Sequence, residues 1–265
     1  MPFATCGSME CVLTAMTNVT GLKGSSKPAL ERGLSEALAF EKALQLPRRA
    51  KSATPQPLWL EFGANTGGTT RLIAAAGGRG NRVSPVVHSF DSFLGLPEDW
   101  RTVQEAHGTT GSRTKGASFW TKKLTSRGSF NRNGHVPFQD PRVFWEVGWY
   151  NETLPKFLAA RPDATVSFVH VDCDLYSSTH TVFTELAPRL LPGAVIVFDE
   201  LLNYPEFAAH EMRALVELLE ATGRRLEAVG VEADEVSFDE ASIRSEFHRK
   251  RSDFRNKCAA VVRVW

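Results

Sequence analysis

The sequence has no apolar run of membrane-spanning length, no C-x-x-C pair and no lysine behind its glycine-rich loop. Each absence closes a class of explanation. A membrane-spanning helix is not expected on the first count. The four cysteines, Cys6, Cys11, Cys173 and Cys258, are scattered. They read as ordinary thiols of a reducing compartment, so the expected location is the cytoplasm and no disulfide framework is expected. An excess of charge is missing too: 31 basic residues face 30 acidic ones, a net charge of +1. Nothing therefore calls for a nucleic acid or other polyanion as partner. The loop after Leu58-Trp-Leu-Glu-Phe62 carries Gly63, Gly67 and Gly68, with Asn65 where a dinucleotide loop has its second glycine. Thr69 follows Gly68 where a phosphate-cradling loop needs lysine. A Tyr-x-x-x-Lys pair is absent as well, which counts against a nicotinamide-dependent oxidoreductase, the alternative enzyme class.

What is present is a strand, a tight turn and a helix, the opening of a parallel α/β unit whose ligand sits at the strand carboxyl ends. Glu61 near the strand end suits a cationic, phosphate-free ligand, and the sulfonium and amino groups of S-adenosylmethionine are cationic. At 265 residues and 42% hydrophobic, the chain can bury a full core. Residues 1–27 are small and hydroxyl-rich and read as a flexible leader, an organellar targeting peptide being the alternative. Pro28–Leu46 has leucines at helical spacing and is expected to pack on the core, so that 1–54 form a leader and an N-terminal helix.

From residue 55 onward, strands alternate with helices. Strands are expected at Leu58–Phe62, Val86–Asp91, Arg142–Val147, Val166–Asp172, Gly193–Phe198, Leu226–Val231 and Ala259–Val264. Helices are expected at Thr69–Ala76, Asn151–Ala160, Ser178–Leu191 and Phe207–Ala221. That order predicts an α/β, Rossmann-like fold: a seven-stranded, mostly parallel sheet, helices on both faces and an antiparallel edge strand. Residues 95–141 lack a long periodic run and read as an insertion closing over the site like a lid, or as a basic loop.

Acids end several strands: Glu61, Asp91, then Asp172 with Asp174, then Asp199 with Glu200. Parallel strands share a carboxyl edge, so these acids should converge on one crevice. Asp91 lies about 20 to 30 residues past the glycine loop, where an acid accepts hydrogen bonds from ribose hydroxyls. Asp172, Asp199 and Glu200 offer oxygen ligands suited to Mg²⁺, which would lower the pKa of a bound hydroxyl. Asp172 or Asp174 could then take its proton. Alternatively these acids cap helices and bind solvent. His170 alternates with apolar neighbours and reads as a core histidine. Trp149 and Tyr150 could line an adenine or sugar pocket, or simply fill the core.

Six stretches, in order, resemble the macrocin O-methyltransferase family of class I S-adenosylmethionine-dependent enzymes: Leu60-Glu-Phe-Gly63 with Gly67-Gly68, Phe90–Pro97, Gly128-Ser-Phe130, Gly148–Pro155, Val171–Thr179 and Pro192–Asp199. The similarity runs from about residue 56 to 215. The resemblance implies Mg²⁺-assisted O-methylation of a sugar hydroxyl, with residues 55–265 as the methyltransferase domain. It also implies Asp172 as metal ligand and base, Asp199 and Glu200 as further ligands, and Asp91 as the ribose acid. Glu200 stands where the family usually has aspartate, and Ala194 replaces a common glycine. The expected cofactor surface is Glu61, Gly63, Ala64, Asn65, Thr66, Gly67, Thr69, Asp91, Ser92, Gly148, Trp149 and Asp172. The expected partner is a small acceptor, a sugar or other polyol. Acceptor identity and any homo-oligomeric state stay open, as does the alternative of a cofactor-binding protein without catalysis.

Overall fold

The computed structural model describes residues 4–17, 19, 26–44, 56–79, 82, 86–107, 118–202, 207–231 and 258–265. Their centre is one eight-stranded sheet in the order β1-β9-β10-β8-β7-β2-β3-β6. Its strands are β1 (Ala4–Thr5), β2 (Leu58–Phe62), β3 (Val87–Asp91), β6 (Val143–Val147), β7 (Val166–Val171), β8 (Leu190–Leu202), β9 (Arg225–Val231) and β10 (Cys258–Val264). β6, β3, β2, β7 and β8 pair in parallel. β10 runs antiparallel between β8 and β9, and β1 adds an antiparallel edge. The two-residue β1 aside, this is the expected seven-stranded, mostly parallel sheet. β7 is buried along its whole length, as a strand covered on both faces must be.

Two apolar layers flank the sheet. On one face α1 (Met9–Thr17), α4 (Tyr150–Ala159), α5 (Tyr176–Leu186) and α6 (Glu211–Thr222) pack over Phe62, Val169, Ile196 and Val262. On the other, α2 (Ser26–Ala43) and α3 (Gly68–Arg79) cover Trp59, Phe168, Val195 and Val261. α2 is tied down through Glu41, whose carboxylate accepts from Trp59 Nε1 at 2.8 Å and from Arg82 and Ser167. A largely buried ion pair of this kind holds well only because each charge is also hydrogen-bonded.

Four expectations are corrected. Cys6 and Cys11 are joined by a disulfide, their Cα atoms 5.2 Å apart, so these two are not free thiols; Cys173 is a free, buried thiol. The described part of the leader is not loose: Val12, Leu13 and Met16 recur at helical spacing and sit in the core beneath α1. α3 does not stop at Gly77 but runs to Arg79. A Cβ on Gly77 would fall 2.2 Å from Val86, so this glycine serves close packing and not helix termination. The 95–141 segment contains a hairpin, β4 (Trp100–His107) paired antiparallel with β5 (Ser118–Thr125). Among the described residues, no helix is long and apolar enough to cross a membrane.

Candidate active site

The carboxyl ends of β2, β3 and β7 are drawn together by their loops. Gly63 N donates to Phe90 O at 3.0 Å and Asp172 N to Phe62 O at 2.9 Å. Gly67 N closes the tight turn on Ala64 O at 2.7 Å. Asp91 then braces the two loops: Oδ2 accepts from Asn65 N at 2.8 Å and Oδ1 from Phe93 N at 2.7 Å. Asn65 and Phe93 both hold positive φ, 43° and 54°, a cost that persists only where the surroundings enforce it. Burial raises the Asp91 pKa; the backbone N–H groups of Asn65 and Phe93 oppose it without reversing it.

Above these ends opens a cavity of about 650 Å³, within the range of small-molecule sites. Its wall includes Gly63, Asn65, Asp91, Ser92, Trp149 and Asp172 from the expected cofactor surface, and Tyr150, Asp174 and Glu200 besides. The other expected residues are not part of that wall. Glu61 is fully buried, its oxygens taken by Thr69 (2.7 Å), Thr70 (2.5 Å) and Ser89 (2.6 Å), so it shapes the loop and offers nothing to a ligand. Thr69 is occupied by that bond; Ala64, Thr66 and Gly67 form the turn; and Gly148 N donates to Asp91 O at 3.0 Å.

His170 lies 3.5 Å from Glu61, a charge pairing and not a well-formed hydrogen bond. Burial would raise Glu61 and lower His170, but their mutual attraction, joined at Glu61 by the Ser89 and Thr69 hydroxyls and at His170 by Asp172 and Asp199, holds the acid below and the imidazole above their ordinary values. For Asp172 the balance goes the other way. Burial, then the neighbouring Asp199 carboxylate, push it well above the ordinary 3.8, with His170 opposing. One step past the Val171–Phe198 pairing, Asp172 and Asp199 fall side by side.

Among the described residues no three His, Cys, Asp or Glu side chains come together as a metal-holding group. Asp199 and Glu200 show why. The sequence suggests a strand ending at Phe198, with both acids on the loop beyond it. β8 instead continues to Leu202, and successive residues of a strand point to opposite faces. Glu200 reaches the cavity wall; Asp199 does not.

Other wall residues were not among the expected site residues. Ser177, Ser178 and Thr181 present hydroxyls from α5, Asn151 and Glu152 stand at the start of α4, and Arg127 and Phe130 come from the turn after β5. Ser178 and Thr181 are three apart, a helical face whose hydroxyl character was the available signal. The expected helix begins at Ser178 and so leaves Ser177 outside, whereas α5 begins at Tyr176. His180 is exposed near Glu217, and the His210 ring lies edge-on to Trp100.

Residues 54–222 match the macrocin-O-methyltransferase (TylF) family, well over half of the chain. The chain belongs to that family. Two curated relatives are O-methyltransferases from Streptomyces. One, the 8-demethyl-8-(2,3-dimethoxy-alpha-L-rhamnosyl)-tetracenomycin-C 4'-O-methyltransferase of Streptomyces olivaceus, is 34% identical over 28% of this chain and 26% of its own. The other, the demethyldecarbamoylnovobiocin O-methyltransferase of Streptomyces niveus, is 30% identical over 47% of this chain and 45% of its own. The match thus spans less than half the length of either relative. A solved structure of CalS11, a calicheamicin methyltransferase, covers 74% of this chain and 73% of its own at 22% identity, with a TM-score of 0.46, too loose a likeness to carry an argument.

Proposed function

We propose that this chain transfers the methyl group of S-adenosylmethionine to a hydroxyl of a sugar or similar small polyol. The observation that carries the reading is Asp172: a carboxylate in the cavity wall, raised in pKa by burial and by Asp199, in the same cavity as the Asp91-braced loop. A base is most effective when its pKa approaches the working pH. Asp172 would take the proton of the acceptor hydroxyl, leaving that hydroxyl's oxygen free to bond to the incoming methyl carbon. The cofactor, when bound, supplies that carbon on a sulfonium, and the electron pair of the broken C–S bond stays on sulfur. Asp91, with lone pairs left beside its two backbone donors, would accept the ribose hydroxyls, and Trp149 would flank the cofactor. The Ser178 hydroxyl would donate to the acceptor, whereas Ser177 and Thr181, which already donate to Glu98 and to the Ser177 carbonyl, would offer it lone pairs. Membership of the family supports the activity, and the rhamnosyl in one relative's name supports a sugar acceptor.

Calorimetric titration tests the cofactor half. S-adenosylhomocysteine should bind saturably and NADH should not compete. Asp91→Ala should weaken binding by about tenfold or more, the loss expected of hydrogen bonds to a charged group. Binding of NADH instead would sink the reading in favour of an oxidoreductase.

Magnesium belongs to the proposal on charge alone. Asp172, Asp199 and Asp174 stand close enough to repel one another, and a divalent cation would relieve that repulsion. Of the three expected ligands only Asp172 and Glu200 reach the cavity and would hold it, Asp199 lying off the wall; when bound it would acidify the acceptor hydroxyl. With methyl α-L-rhamnoside as probe acceptor, chelation by EDTA should lower turnover and Mg²⁺ should restore it. Turnover indifferent to both would leave Asp172 as base without a metal.

A further inference from the structure

Glu211 opens α6 on the far side of the Asp172 turn and is 1% exposed. Its Oε1 accepts from Cys173 N at 3.2 Å, across 38 residues of sequence. Its Oε2 is buried without a hydrogen-bond partner among the described residues. A carboxyl so placed, facing Asp172, Asp174 and Asp199, is poor for stability; a well-packed apolar side chain of similar size would serve the core better. Residues that break a local rule in this way mark function more often than packing.

The turn it touches needs holding. Asp174 sits at φ 62°, an unfavourable conformation for a residue with a side chain, and Cys173 is buried. Further anchors of the turn include Asp172 N on Phe62 O at 2.9 Å, Leu175 N on Cys173 O at 2.6 Å and the weaker contact of Cys173 Sγ with Phe62 O at 3.8 Å. Without Glu211 the Cys173 N–H would be a buried donor with nothing to bond, and the turn would relax to find water. We propose that Glu211 is a positioning residue: by accepting the Cys173 N–H it fixes the turn that aims Asp172 into the cavity. This rests on the reading of Asp172 as proton acceptor, since only then does its aim govern rate.

The test uses Glu211→Gln, which keeps an acceptor of the same reach, Glu211→Leu, which removes it, and Glu211→Asp, which shortens it, all in the full chain. Two readouts are taken: the rate at which iodoacetamide alkylates Cys173, followed by peptide mass spectrometry, and kcat with methyl α-L-rhamnoside. The leucine variant should alkylate about tenfold faster and lose about tenfold in kcat, with S-adenosylhomocysteine affinity within about twofold, the effect of one orphaned buried donor. The glutamine variant should stay within about threefold of wild type on both counts. If the leucine variant does not fold, the aspartate variant carries the same expectation. A glutamine variant as impaired as either, or a folded leucine variant with unchanged Cys173 reactivity, overturns the proposal. Alkylation needs no turnover, so a wild type that transfers no methyl would count against the methyltransferase reading and leave the anchor still judged by Cys173.

Discussion

Asp172→Asn should abolish methyl transfer while leaving S-adenosylhomocysteine binding almost intact. Asparagine has the same shape and keeps its backbone N–H on Phe62 O, so the strand ends stay together. What it lacks is a site to receive the hydroxyl proton. Removal of a positioned general base costs about 10²- to 10⁴-fold in rate. The wild-type pH profile should carry the same signature. Because burial and Asp199 raise the Asp172 pKa, the rate should fall as pH drops through a value well above the ordinary 3.8. In an alternative with Asp174 as base, Asp174→Asn would show the larger loss. Equal activity of Asp172→Asn and wild type would remove Asp172 from the chemistry.

Gly63→Ala should unfold the site from within. Gly63 holds φ 95°, and a Cβ there would lie 1.8 Å from the carbonyl oxygen of Asp172. That oxygen is backbone at the end of a buried strand and cannot swing aside. Two costs add: the left-handed conformation, about 1 to 3 kcal/mol, and the forced separation of β2 from β7, about 1 to 3 kcal/mol or more. Gly128→Ala is the control, since Gly128 holds φ 80° with nothing within 4 Å of its Cβ position. Denaturant unfolding should show a loss for Gly63→Ala of about 4 kcal/mol, against about 1 kcal/mol for Gly128→Ala. Similar losses for both would mean that the close approach of the two strand ends is unimportant.

The same contact separates what could be read from what could not. The glycine after Glu61-Phe62 marks a tight loop in any sequence, but that its flat face receives the Asp172 carbonyl, 109 positions later, depends on β7 pairing beside β2. Glu61 shows the limit from the other side. An acid near the end of a strand reads as a ligand for a cationic cofactor; only the arrival of Thr69, Thr70 and Ser89 around it turns it inward. Glu211 gave no signal at all, because an acid opening a helix is ordinary and its burial is imposed by α6 packing over the Asp172 turn. Cys6 and Cys11 read as thiols because spacing says nothing of how near two cysteines fold.

The alternation of strands and helices, the parallel sheet, the acids at its carboxyl edge and the family are all legible in the amino-acid order alone. These follow from local periodicity and from short motifs, which act over a few residues. The tertiary structure decided which of those acids face the cavity. β8 runs two residues past Glu200, the strand pleat sends Asp199 and Glu200 to opposite faces, and α6 sets Glu211 behind Asp172. Direction and burial are set by neighbours distant in the chain, and no local pattern encodes them.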